Sequence, residues 1–165
     1  MTPASPFTRR SAVIALAAGL AGCATTRRPR APGETAWAGR LALRVDSAPP
    51  QAFSALFDLR GSADTGELQL TSALGQTLAT VRWSAQGAEL QRGNHTTRRD
   101  SLDALTTELS GAPLPVLAMF DWLAGRDAPA SGWRVDLSQH ASGRLVARRE
   151  QPQPSAELRL VFEQP

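Results

Sequence analysis

From Trp37 onward, apolar side chains fall at every second position. Trp37, Gly39, Leu41, Leu43 and Val45 share one face of an extended chain, and Ala38, Arg40, Ala42 and Arg44 share the other. That alternation predicts a half-buried strand. Ser47-Ala48-Pro49-Pro50 breaks it, and Phe53, Ala55, Phe57 and Leu59 resume it. A turn at Gly61-Ser62-Ala63-Asp64 leads to a third strand through Leu68 and Leu70, and a loop at Ser72-Ala73-Leu74-Gly75 leads to a fourth through Ala79, Val81 and Trp83. Shorter strands are expected around Leu90 and at Thr96-Thr97-Arg98. Strands in unbroken hairpin succession argue for an antiparallel sheet.

The period then changes from two to that of a helix. Asp100 is the expected N-cap with Asp103 in the capping-box position, Leu102, Leu105 and Leu109 form an apolar stripe, and Gly111 ends it. Pro115 suits the first turn of a second helix, Val116, Met119, Phe120 and Leu123 follow helical spacing, and Gly125 is a natural stop. Alternation returns at Trp133, Val135 and Leu137, at Leu145 and Ala147, and at Leu158, Leu160 and Phe162. The reading is mainly β (α+β): a single antiparallel sheet of about eight or more strands, long enough to curl. Two short helices interrupt it, and the concave side of the sheet is the obvious partner for their apolar faces.

Residues 1–22 read as a secretory signal. Arg9 and Arg10 give a positive start, and a charge-free run from Ala12 to Ala21 follows, about ten residues against the roughly 20 needed to span a bilayer. The arginine pair leaves Sec or twin-arginine export open. Leu20-Ala21-Gly22-Cys23 resembles the lipobox of bacterial lipoproteins, whose cysteine receives lipid and becomes the first residue after cleavage. Cys23 is the one cysteine of the chain, so no internal disulfide forms. Residues 23–35, with Pro29, Pro32, Gly33 and Arg27, Arg28 and Arg30, read as a flexible tether. Residues 36–165 are left for one domain. Ala24 stands where sorting signals for inner-membrane retention place Asp, which directs the expectation to the outer membrane.

Composition mostly excludes. The net charge of +3 overstates the basic character: without Arg9 and Arg10, 16 of the 18 basic residues face 15 acids, which leaves +1. No basic stripe of the kind that binds nucleic acid stands out. The chain has no Lys, which removes a P-loop lysine and Schiff-base chemistry, and no Tyr. His95 and His140, the two histidines, lie in polar turns without metal-ligand spacing and are expected to be surface loop residues. No Gly-x-Ser-x-Gly elbow occurs. Neither an enzyme activity nor a cofactor is expected.

Three segments carry a likeness. Trp37-Ala38-Gly39-Arg40-Leu41-Ala42-Leu43, Leu68-Gln69-Leu70-Thr71-Ser72-Ala73-Leu74-Gly75-Gln76, and Leu109-Ser110-Gly111-Ala112-Pro113-Leu114-Pro115 with Trp122-Leu123-Ala124-Gly125 resemble the LolB family of outer-membrane lipoprotein receptors. The resemblance implies an open, incompletely closed antiparallel β-barrel with a short-helix lid over an apolar cavity. It implies that acylated lipoproteins are taken from a LolA-like periplasmic carrier and inserted into outer-membrane lipid, without nucleotide, by a monomer anchored through Cys23. It also places a membrane-insertion residue at Leu74, preceded here by Ala73 where the family often has Pro; folding back of Leu74 onto the core is the competing expectation.

Candidate acyl-cavity residues are Trp37, Leu41, Leu43, Phe53, Phe57, Leu70, Val81, Trp83, Met119, Phe120, Trp122 and Leu123. Periodicity alone leaves each of the large ones open between tight core and cavity wall. Met119 and Phe120 fit helix-to-sheet packing better than acyl contact, and Trp122 could plug the lid. Two other functional classes remain: an envelope lipoprotein that binds free lipid or a lipophilic ligand in the same barrel, and a structural or assembly lipoprotein with a solid core.

Overall fold

The computed structural model describes residues 35–110 and 113–163. The signal segment, Cys23, the tether through residue 34, and Gly111 lie outside the described residues.

Among the described residues nine strands form one sheet. They are β1 (Thr35–Val45), β2 (Gln51–Gly61), β3 (Gly66–Thr71), β4 (Thr77–Ser84), β5 (Gly87–Arg92), β6 (His95–Arg99), β7 (Trp133–Asp136), β8 (Arg144–Arg149) and β9 (Ala156–Phe162). The order across the sheet is β6-β5-β4-β3-β2-β1-β9-β8-β7, and every pair is antiparallel. β6 and β7 stand at opposite edges and do not pair, so the barrel is open between them. The chain crosses that gap with α1 (Leu102–Ser110) and α2 (Met119–Leu123). The segment that joins the two edges is therefore the one that roofs the concave face.

The period-two pattern sorts the faces as the alternation predicts. Trp37, Leu41, Leu43 and Val45 are buried, while Arg40, Ala42 and Arg44 are exposed. On the convex side, three Arg–Glu pairs sit directly across from each other in register: Arg82 with Glu67 at 2.6 Å, Arg98 with Glu89 at 2.7 Å, and Arg148 with Glu157 at 2.8 Å. Opposite charges at facing positions support the register, at a few tenths of a kcal/mol each.

Two helix expectations are corrected. Ser101, not Asp100, caps α1: its hydroxyl accepts a hydrogen bond from the Ala104 amide at 3.1 Å. Asp103 is therefore one place too early for the capping box and sits in the first turn. The second helix is shorter than the apolar spacing suggests. Pro115 opens a turn rather than a helix, accepting from the Met119 amide at 3.1 Å, and regular helix spans only Met119–Leu123. Gly125 ends it in the left-handed region at φ 77°, as expected of a stop.

Candidate functional site

Along each strand the inward positions change character from one end of the barrel to the other. At the end where β1 begins, aromatic rings fill the interior. Trp37 meets Phe162 edge-on with ring centres 5.9 Å apart, and Trp83 meets Phe120 in the same way at 6.0 Å. Gly66 lies opposite Trp83 in the register and leaves room for its ring, which donates from Nε1 to the Ser62 carbonyl at 3.1 Å. Trp122 and Leu123 are fully buried in the core, and Trp122 Nε1 donates to the Ala128 carbonyl at 3.0 Å.

At the other end, where β1 meets β2, the inward side chains are aliphatic and do not fill the space. A cavity of about 390 Å³ lies between Leu41, Leu43 and Val45 of β1, Leu68 and Leu70 of β3, Ala79 and Val81 of β4, Leu90 of β5 and Leu158 of β9. Its roof is Leu114, Pro115, Val116 and Met119. The exposed members of its wall mark its mouth: Phe53 is 40% exposed and Leu78 is 37% exposed, with Gln51 and Arg92 beside them. All four stand at the strand ends that carry the loops 46–50, 72–76 and 93–94. Leu78 is present there because of an irregularity in the ladder. Leu70 faces Ala79 and Thr71 faces Thr77, so Leu78 is the extra residue of a bulge.

Leu74 stands at the same end. Its loop is closed by Ser72, whose amide donates to the Gln76 carbonyl at 2.8 Å and whose carbonyl accepts from the Gly75 amide at 3.0 Å. Gly75 takes φ 83° with open space around it. The result presents Leu74 to solvent at 89% exposure, so it does not fold back onto the core. A side chain held out this far adds little to the core.

The roof is pinned at named atoms. The Leu114 amide donates to the Thr106 hydroxyl at 3.1 Å, tying the roof to α1. The Pro113 carbonyl accepts from Trp133 Nε1 at 3.2 Å and from an Arg149 Nη at 3.3 Å. Arg149 is only 1% exposed, stacks 5.5 Å from the Trp133 ring centre, and donates its other Nη to the Pro154 carbonyl at 2.8 Å. Burial holds its pKa below the ordinary arginine range.

Of the twelve cavity candidates, Leu41, Leu43, Phe53, Leu70, Val81 and Met119 line this cavity. Trp37, Phe57, Trp83, Phe120, Trp122 and Leu123 do not; they are buried in the packed core. Pattern reading overlooked the small and lid-borne members of the wall, Ala79, Leu114, Pro115 and Val116, along with Val45, Leu68, Leu90 and Leu158, which had been assigned to strands but not to the hollow. His140 is also corrected. It is half-buried, with Nε2 2.9 Å from the Leu123 carbonyl and its ring centre 5.2 Å from that of Phe162, so it holds the end of α2. His95 is exposed at the start of β6. No cluster of metal-ligating side chains occurs among the described residues.

The family model described as "Outer membrane lipoprotein LolB" matches residues 35–161. Curated relatives agree. An outer-membrane lipoprotein LolB of Bordetella petrii is 34% identical, covering 91% of this chain and 89% of its own. That of Bordetella bronchiseptica is 33% identical over 99% and 97%, and that of Chromobacterium violaceum 32% identical over 78% and 74%. An open barrel roofed by short helices, with the family match running from the first strand nearly to the end of the last, places this chain in the LolB family.

Proposed function

We propose that this protein is an outer-membrane receptor that accepts acylated lipoproteins from a LolA-like periplasmic carrier, shelters their acyl chains in the cavity, and inserts them into outer-membrane lipid. It is held at the periplasmic face by lipid on Cys23 and uses no nucleotide. The observation that carries this reading is the aliphatic hollow of about 390 Å³ whose mouth shares one end of the barrel with the exposed Leu74 loop. Each methylene taken out of water is worth about 0.8 kcal/mol, so acyl chains cross an aqueous space only inside an apolar shelter. Passage from carrier to receptor then runs downhill wherever the receptor wall holds hydrocarbon better. No covalent step is needed.

The size of the hollow adds a constraint. At about 390 Å³ it is of the order of one alkyl chain, open to solvent at the mouth where the rest of a larger anchor can extend.

The test fills the hollow without adding charge. Ala79 is buried on the cavity wall, and Ala79→Phe occupies the space with the protein's own atoms. In a transfer assay from carrier-held lipoprotein to the receptor, acceptance is expected to fall about tenfold or more while circular dichroism and thermal unfolding show a folded protein. Acceptance at the wild-type level by the folded variant would defeat the proposal.

A further inference from the structure

Arg92 supplies chemistry that a wholly apolar anchor does not use. It is the last residue of β5, on the same face as Leu90, whose side chain lies in the cavity wall. Among the described residues it is the charged side chain of that wall, at the open end beside the neutral Gln51. Eight other arginines are held in ion pairs with Asp or Glu: Arg44, Arg60, Arg82, Arg98, Arg99, Arg126, Arg148 and Arg159. Arg92 has no acid against it among the described residues; its partner across the ladder is His95. A guanidinium at the rim of a hydrocarbon hollow, with its five donors unclaimed among the described residues, is suited to an anion attached to a chain.

We propose that the cavity mouth is a binding site for single-chain anionic amphiphiles: the hydrocarbon lies along Leu43, Leu90 and Val81, and the carboxylate or phosphate head pairs with Arg92, with the Gln51 amide as a second polar contact. A hollow of about 390 Å³ suits one alkyl chain, and the cation of its wall selects the sign of the head. The shared chemistry is an acidic group on one alkyl chain, whether the source is a free fatty acid or a lysophospholipid. The site uses the same hollow as the lipoprotein reading but does not depend on handover from a carrier.

The experiment uses the full chain with Cys23→Ser, which removes the thiol that would carry lipid. It is titrated calorimetrically with dodecanoate, dodecyl phosphate and dodecanol, which share one chain length. At least one of the two anions is expected to bind about tenfold tighter than the alcohol, and Arg92→Gln is expected to bring that ratio near one. Arg92→Lys, which keeps the charge but not the fork, retains part of the ratio. Preference for dodecanoate identifies the fatty-acid source, and preference for dodecyl phosphate the lysophospholipid source. Equal binding of all three by the parent chain, or a ratio unchanged in Arg92→Gln, overturns the site. Lipoprotein acceptance measured beside it separates the two readings: acceptance without anion preference removes this site alone.

Discussion

Arg149 shows how one residue can decide whether a roof stays in place. Burying a cation to this degree is costly, and here its two Nη groups donate to backbone carbonyls from separate segments and its plane lies on Trp133, while Nε is buried without a hydrogen-bond partner among the described residues. Arg149→Ala leaves the Pro154 carbonyl without this donor and opens a gap beside Trp133. A loss of about 2–4 kcal/mol is expected in chemical denaturation. Arg149→Lys recovers little, since an ammonium cannot span both carbonyls while lying flat on an indole. Nothing in the alternation of β8 marks Arg149 out from Arg148 except parity: the partners that define its role lie at Pro113 and Pro154, brought in by the fold. Glu157 has a legible role because its partners are local. Partial burial pushes its carboxyl up, but hydrogen bonds from Arg148 and Arg159 outweigh this and hold it below its ordinary value of 4.5. A depressed folded pKa contributes stability that is present above the unfolded value and lost as pH falls through the folded one. Glu157→Gln is therefore expected to flatten the stability–pH curve below about pH 4.5, read as thermal midpoints across the acid range.

The strands were legible as elements because each has one wet and one dry face, and a period of two survives any error in the ends. The helices were legible in kind but not in extent. An apolar spacing of three and four cannot distinguish a helix from the turn at Pro115 that leads into one, and a cap depends on which hydroxyl reaches the amide, as with Ser101 in place of Asp100. Sequence periodicity also says nothing about closeness between strands. At Gly39 an added Cβ would stand 2.1 Å from the Val161 carbonyl oxygen and 2.8 Å from Phe162 Cα, so β1 and β9 approach there only because that position has no side chain. Gly39→Ala forces the two strands apart beside the Trp37–Phe162 contact. A loss of about 2 kcal/mol or more is expected in denaturant titration, with amide exchange accelerated along β1 and β9 and not along β5 and β6.

At the scale of the molecule, one barrel is divided between a solid end and a hollow end. The sequence carries every residue of both, but not the level at which each lies. Trp37 and Leu43 share a strand and a face, yet one packs against Phe162 and the other borders open space. Register across nine strands and the reach of two short helices decide between them, and neither is a local property. The division gives the barrel a direction, because Phe53, Leu78 and the Leu74 loop all lie at the hollow end. If that end faces the bilayer during release, Leu74 enters the interface while the chains leave the mouth beside it, and hydrocarbon never crosses open water. Leu74→Glu keeps the loop geometry, since Ser72 and Gly75 make its hydrogen bonds, and at 89% exposure the change alters stability by less than about 0.5 kcal/mol. On the proposed role it places a charge where an apolar group would enter lipid, and that cost would fall on release alone. The variant is therefore expected to accept lipoprotein from the carrier normally and to deliver it to vesicles several-fold more slowly, so that loaded receptor accumulates. Leu74→Met, equally apolar, should deliver as the parent does. Delivery by Leu74→Glu at the parent rate would remove the loop from the mechanism, and a matching loss of acceptance would move its role from the membrane to the carrier.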